Sequence, residues 1–142
     1  MCGLFGGISS TLTKPEQDFV FALSAVSIFR GTDSSGLLIV TTKPGGVNQY
    51  ENGIFREVLV APELFTRALI NGKVYNKPNN SVKMIMGHAR AATLGAINKE
   101  NCHPFSFDKV TGCHNGTVPS MVLNNLTKEE QETNKANDSW NI

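Results

Sequence analysis

Cys2 follows the initiator methionine directly, and Gly3 follows it in turn. Methionine is removed most readily when the next side chain is small, and cysteine qualifies. The residue then left at the terminus carries a thiol, with a reference pKa near ~8.5, and an α-amine near ~8. One residue would hold both a nucleophile and a nearby base, the terminal-nucleophile form of covalent catalysis. The structural alternative is a small residue buried on a first strand, since free cysteine is often buried.

Other polar segments could serve such a nucleophile. Asn115-Gly116 offers a side-chain amide donor and an unshielded backbone N–H, the two parts of an oxyanion hole. It is equally a common turn pair. Arg90, in Gly87-His88-Ala89-Arg90, could grip a carboxylate with its rigid donor fork, or pair with a local acid. Thr93 and Gly95 could add a hydroxyl and an accessible amide. His88 reads better as a satisfied structural donor than as a base. Asp138 could accept from a substrate ammonium, or simply face solvent. Arg30-Gly31-Thr32-Asp33-Ser34-Ser35-Gly36 reads first as a tight turn with side chains bonded to backbone, and alternatively as a wall of the cleft.

These residues need elements to position them, and the chain alternates strand and helix patterns. Leu4 to Ile8 is apolar and glycine-rich, as in a central strand. Pro15 can open a helix with Glu16 and Asp18 in its first turn. Its apolar stripe is Phe19, Leu23, Val26 and Ile28 or Phe29, and Gly31 is a stop. Leu37 to Thr42 is a buried strand. Pro44-Gly45-Gly46 turns the chain, Val47 to Tyr50 returns as a hairpin partner, and Glu51-Asn52-Gly53 turns again. Pro62 to Ile70 is a short helix, and residues 71–81 form a polar loop. Val82 to Met86 is a strand that delivers Gly87-His88-Ala89-Arg90. Phe105 and Phe107 alternate with polar residues, and Val110 to Cys113 is a strand ending at His114-Asn115-Gly116. A last helix, Leu126 to Asn137, opens on Thr127-Lys128-Glu129-Glu130, which has the form of a capping box. The pattern predicts an α/β domain with mainly antiparallel pairing.

Bulk properties narrow the function classes. At 142 residues with 40% hydrophobic content, the chain reads as one domain, 1–142, with a real core. Thirteen Lys and Arg against twelve Asp and Glu give a net charge of +1, which does not favour a nucleic-acid surface. The cysteines Cys2, Cys102 and Cys113 fit neither a zinc motif nor a complete disulfide framework. No signal-peptide pattern and no run near the ~18 apolar residues of a membrane span are present. A cytoplasmic protein with no membrane association is the expectation, and reducing cytoplasm suits a reactive thiol.

The order of the segments carries a resemblance. Met1-Cys2-Gly3-Leu4-Phe5-Gly6, then Arg30 to Gly36, then Gly87-His88-Ala89-Arg90-Ala91-Ala92-Thr93-Leu94-Gly95, then Asn101-Cys102-His103-Pro104-Phe105, then His114-Asn115-Gly116 together resemble the class II glutamine amidotransferase domain, a branch of the N-terminal-nucleophile hydrolases. The resemblance implies a four-layered αββα sandwich of two mainly antiparallel sheets. It implies hydrolysis of the glutamine side-chain amide, with ammonia passed to a synthetase domain or subunit, and it implies no metal or cofactor. Carried onto this chain, Cys2 would be the nucleophile and Asn115 with Gly116 the oxyanion hole. Arg90 would bind the α-carboxylate of free glutamine, with Thr93 lining that end. Asp138 would read the α-amine, and the backbone near His114 would add a contact. Ala89 stands where the family often has threonine, and Asp138-Ser139-Trp140 replaces the usual Asp-(Ser/Thr)-Glu. Against the family domain the chain is short at its C-terminal end, as in a minimal domain, a fragment or one subunit of a split enzyme. The rival readings are a non-catalytic partner-binding domain of the same fold and a hydrolase of another small amide.

Overall fold

The computed structural model describes residues 1–43, 50–70, 82–93 and 95–116. In chain order these form β1 (Gly3–Ile8), α1 (Lys14–Val26) with a 3₁₀ turn over Ser27–Phe29, β2 (Ser34–Thr42), β3 (Tyr50–Glu57), α2 (Ala61–Ile70), β4 (Val82–Arg90), β5 (Phe105–Phe107) and β6 (Val110–Gly112). The first four strands make one antiparallel sheet in the order β1-β4-β2-β3, and β5-β6 is an antiparallel pair of its own. Two antiparallel sheets and two helices are consistent with the αββα-type sandwich implied by the resemblance. The Pro44 turn, the 71–81 loop, the 126–137 helix and Asp138 lie outside the described residues.

The sheet buries one face under both helices. Gly87 of β4 lies opposite Phe5 on one side and opposite Leu37 on the other, and Leu37 in turn faces Phe55. That row, with Ile39, Ile85 and Ala89, meets Val20 of α1 and Ala61, Leu64, Phe65 and Ala68 of α2. Phe65 is fully buried and takes the edge of Phe21, ring centroids 5.4 Å apart at 68°. Burying such a ring stabilises the fold by roughly 1.5–3 kcal/mol, and the edge-on contact adds about 0.5–1.5 kcal/mol.

Helix α1 starts where its chemistry dictates. The amide and hydroxyl of Thr13 both donate to the Glu16 carboxylate, at 2.6 and 2.7 Å, satisfying a terminal N–H that the helix cannot. The hydroxyl first and the amide second hold the Glu16 carboxyl below the usual range.

Several expectations are corrected. Strand β1 is an edge strand of the described sheet rather than a central one, and Ile8 is 78% exposed. Glu51-Asn52-Gly53 is not a turn: all three pair with β2, from Glu51 opposite Thr41 to Gly53 opposite Ile39. The ladder overrides the local turn chemistry there. Gly87-His88-Ala89-Arg90 is the end of β4 itself, and Ser34-Ser35-Gly36 already belongs to β2. The buried face of α1 is Gln17, Val20, Ser24 and, in the following turn, Ser27, with Phe19, Val26 and Phe29 exposed. Val20 and Ser27 on that face pack close against the backbone of β1, which presents glycines to them. A Cβ on Gly3 would stand 3.1 Å from Ser27 Cβ, and one on Gly7 3.1 Å from a Val20 methyl.

Gly87 is the tightest point of the buried row, since a Cβ there would stand 2.1 Å from the Phe5 ring. Gly87→Ala is expected to destabilise the fold by about 1–3 kcal/mol through overpacking. Gly112→Ala, with open space around the new methyl, is expected to be neutral or to stabilise by up to about 1 kcal/mol. Urea denaturation of the two variants beside the parent checks the contrast.

Candidate active site

The β1–β4 pairing assembles the site. Gly3 lies opposite Ala89, so the residue before β1 comes beside the residues after β4. The Cys2 thiol points at the Ala91 carbonyl, Sγ to O 3.6 Å, a weak contact for sulfur. The turn that carries Ala91 is held by Asp33: its amide donates to Arg90 O at 3.0 Å, and its carboxylate accepts from Ala92 N at 2.7 Å. Gly31 permits the approach, because a Cβ there would fall 2.4 Å from the Arg90 carbonyl carbon. The Arg30 to Gly36 segment therefore acts as a clamp on the wall beside Cys2. Asp33 was legible only as a member of that run; its partner lies 59 positions away.

Asn115 completes the near side. Its Nδ2 donates to the Cys2 carbonyl at 2.9 Å across 113 positions of sequence. Cys2, Asn115 and Arg30 line one cleft of about 360 Å³, floored by Phe5, Leu23, Val26 and Ser27. The sequence marked Cys2 and Asn115 individually and Arg30 only as the first residue of the Arg30 to Gly36 run; the helical residues of α1 it did not mark. Gly116 follows Asn115 at the exposed rim, and His114 precedes it with its N–H bonded to His103 Nδ1 at 3.0 Å.

Arg90 and Thr93 are not among the residues that line this cleft. Arg90 is 4% exposed, and its guanidinium donates to Ala96 O at 2.9 Å and reaches Gly95 O at 3.5 Å. Ala96 O also accepts from the buried Asn101 at 3.0 Å, so Arg90 and Asn101 together tie down the 95–101 loop. Thr93 is exposed, and Asp138 lies outside the described residues.

His88 departs from its expected role as a satisfied donor. It is fully buried, stacked on His103 with centroids 4.1 Å apart and 21° between planes. Among the described residues no partner meets hydrogen-bond geometry at either ring nitrogen, although the His114 backbone is near enough to favour the protonated ring slightly. Burial, then the neighbouring His103, lowers the His88 pKa from 6.5 to about 3. Burial also raises the thiol pKa of Cys102, and lifts that of Cys113 to about 12. Both are thereby kept protonated and poorly nucleophilic. Among the described residues no cluster of His, Cys, Asp and Glu could hold a metal ion, and no helix is long and apolar enough to cross a membrane.

No family model matches the chain. Over 52 residues the chain is 31% identical to the probable glutamine amidotransferase DUG3 of Saccharomyces cerevisiae. The aligned stretch makes up 32% of this chain and 15% of that protein. The match is a distant relation to amidotransferases.

The His88 geometry has a measurable consequence. The folded state holds the ring neutral down to about pH 3, whereas the unfolded chain binds a proton near 6.5. Its stability is complete above pH 6.5 and is lost as pH falls from there toward 3. The loss is expected to reach about 1–2 kcal/mol between pH 7 and 5. Urea midpoints at the two pH values, compared between parent and His88→Phe, check this: the variant is expected to show the smaller drop.

Proposed function

We propose that this chain is the glutaminase part of a class II amidotransferase, releasing ammonia and glutamate from free glutamine through a thioester on Cys2. The observation that carries the reading is the contact of Asn115 with Cys2 at the mouth of a shared cleft. The relation to a glutamine amidotransferase supports it. Met1 is 79% exposed, as its removal by an aminopeptidase requires.

With Met1 gone, the Cys2 α-amine takes the thiol proton and Sγ attacks the glutamine Cδ. Negative charge develops on the former carbonyl oxygen. The Asn115 amide has two hydrogens. One holds the Cys2 carbonyl and the other is left to donate to the oxyanion, beside the Gly116 N–H. Preorganised donors of this kind act where charge appears, without reorganisation cost at the moment of reaction. Collapse breaks the C–N bond, the α-ammonium returns its proton, and ammonia leaves. Water then cleaves the thioester and glutamate departs. Neither half-reaction calls on a metal or cofactor.

In this reading Arg90 and Asp138 read the carboxylate and ammonium of the amino-acid head, with Thr93 and the His114 backbone beside them. Arg90 would turn part of its donor fork from the 95–96 carbonyls to the substrate. Ammonia release calls for an acceptor, so we propose a synthetase domain or subunit as partner, with the enzyme at work in the cytoplasm.

Intact mass and ammonia release from glutamine, measured on one preparation, test the reading. Chain lacking Met1 is expected to release ammonia, and Cys2→Ser to fold normally with turnover at background. Asn115→Ala is expected to lower kcat about 10²–10³-fold. Retained Met1 with no ammonia would move the chain to the non-catalytic, partner-binding reading. In a separate series, Arg90→Lys keeps the charge but loses the fork. It is expected to raise KM for glutamine by the equivalent of about 1–3 kcal/mol; an unchanged KM with a lowered Tm would assign Arg90 to the 95–101 loop alone.

A further inference from the structure

The oxyanion segment has no regular structure of its own to hold it. It follows β6, a three-residue strand, and Asn115 lies beyond the end of that strand. Its backbone is anchored through the His114 N–H, which donates to His103 Nδ1 at 3.0 Å. The acceptor itself is rigidly held. His103 is buried, its ring lies between His88 at 4.1 Å and Phe105 at 4.5 Å, and its carbonyl rests on the sheet where a Cβ on Gly36 would stand 1.7 Å away. The preceding residues are fixed too: Cys102 N donates to Lys99 O at 3.2 Å, and its thiol to Asn98 O at 3.2 Å.

We propose that His103 is a positioning residue for Asn115: its neutral Nδ1 pins the backbone of His114 and so sets where the next side chain meets Cys2. The inference rests on the glutaminase reading and extends it to a residue outside the cleft. The chemistry requires Nδ1 to be unprotonated, with the ring proton on Nε2, because only a lone pair can accept the His114 N–H. A loose segment would let the Asn115 amide wander, and displacement by about 1 Å is enough to cost on the order of 100-fold in rate.

Two substitutions separate acceptor from ring. His103→Asn keeps an acceptor, Oδ1, where Nδ1 now sits, but loses the stack. His103→Phe keeps a ring between His88 and Phe105 but has no acceptor. In the Met1-processed protein, His103→Phe is expected to lower kcat for glutamine about 10- to 100-fold with KM changed less than about twofold, while His103→Asn stays within about threefold of the parent. In an Asn115→Ala background, His103→Phe is expected to cost less than about twofold further, because the group it positions is gone. Exchange of the His114 amide with deuterium is expected to quicken in His103→Phe and to match the parent in His103→Asn. Activity that follows Tm in both variants, or a full additional loss in the Asn115→Ala background, overturns the proposal. A processed parent that releases no ammonia overturns the glutaminase reading and the catalytic half of this one together. The His114 exchange rates then still decide whether His103 pins the segment, and equal rates in the two variants refute it.

Discussion

Gly3 lies opposite Ala89 across the antiparallel β1–β4 pair, and the remainder of the site depends on that register. It sets the residue before β1 beside the turn after β4, and it turns Phe5 inward over Gly87. A slip of one residue would send Phe5 to the other face and carry Leu4 into the helix layer. Cys2 would then no longer point at Ala91. The same ladder joins β4 to β2, where Ser34 pairs with Arg90. Asp33, one residue earlier, is thereby in place to bond both sides of the 90–92 turn. One strand pairing thus fixes Cys2, and a second fixes the wall it faces.

Close backbone approach is the second constraint. The clamp at Gly31 and the seat of His103 on Gly36 both leave less room than a methyl group needs. These contacts place polar backbone against polar backbone with no side chain between, so the site is framed by main chain. Main chain has few soft degrees of freedom, which suits donors that must be aimed. The stacked His88–His103 pair shows the cost. A buried imidazole whose ring nitrogens find no well-aligned partner among the described residues is worse than an apolar side chain by roughly 1–3 kcal/mol. His88 gives His103 a flat neighbour, and burial keeps the His88 ring neutral beside the ring that accepts the His114 N–H.

How much of this could be read from the sequence follows from what kind of interaction each residue makes. Strand and helix patterns placed most of the elements because they depend on local spacing. They failed at Glu51 to Gly53, where turn residues are held straight by eight paired positions of β2 and β3. They failed on the face of α1, where the glycines of β1 favour serine over phenylalanine as a neighbour. Cys2 and Asn115 were recognisable as chemistry-bearing types, and the structure brings them together. Arg90 was read as a carboxylate ligand or the partner of a local acid; its bonds to the 95–96 carbonyls depend on a loop whose path no short-range pattern specifies. Asp33 and His103 were visible only inside their motifs, since their partners are set by tertiary contact. Thr93 and Asp138 gain no packing argument from the described residues.

The position of β1 at the edge of the described sheet, unexpected from its apolar sequence, is compatible with the proposed terminal nucleophile. A central strand must give its N–H and carbonyl groups to neighbours on both sides, and a residue within it has no room for a free amine. The β1 ladder begins at Gly3, so Cys2 stands just outside it, half-buried. Its carbonyl is held by Asn115, and the residue before it, Met1, is exposed. Cys102 and Cys113 have the opposite placement. Their surroundings desolvate the thiol and raise its pKa, which makes them packing residues. The distinction among the three cysteines is therefore one of place rather than type: Cys2 lies at the start of a strand on the edge of the described sheet and lines a cleft.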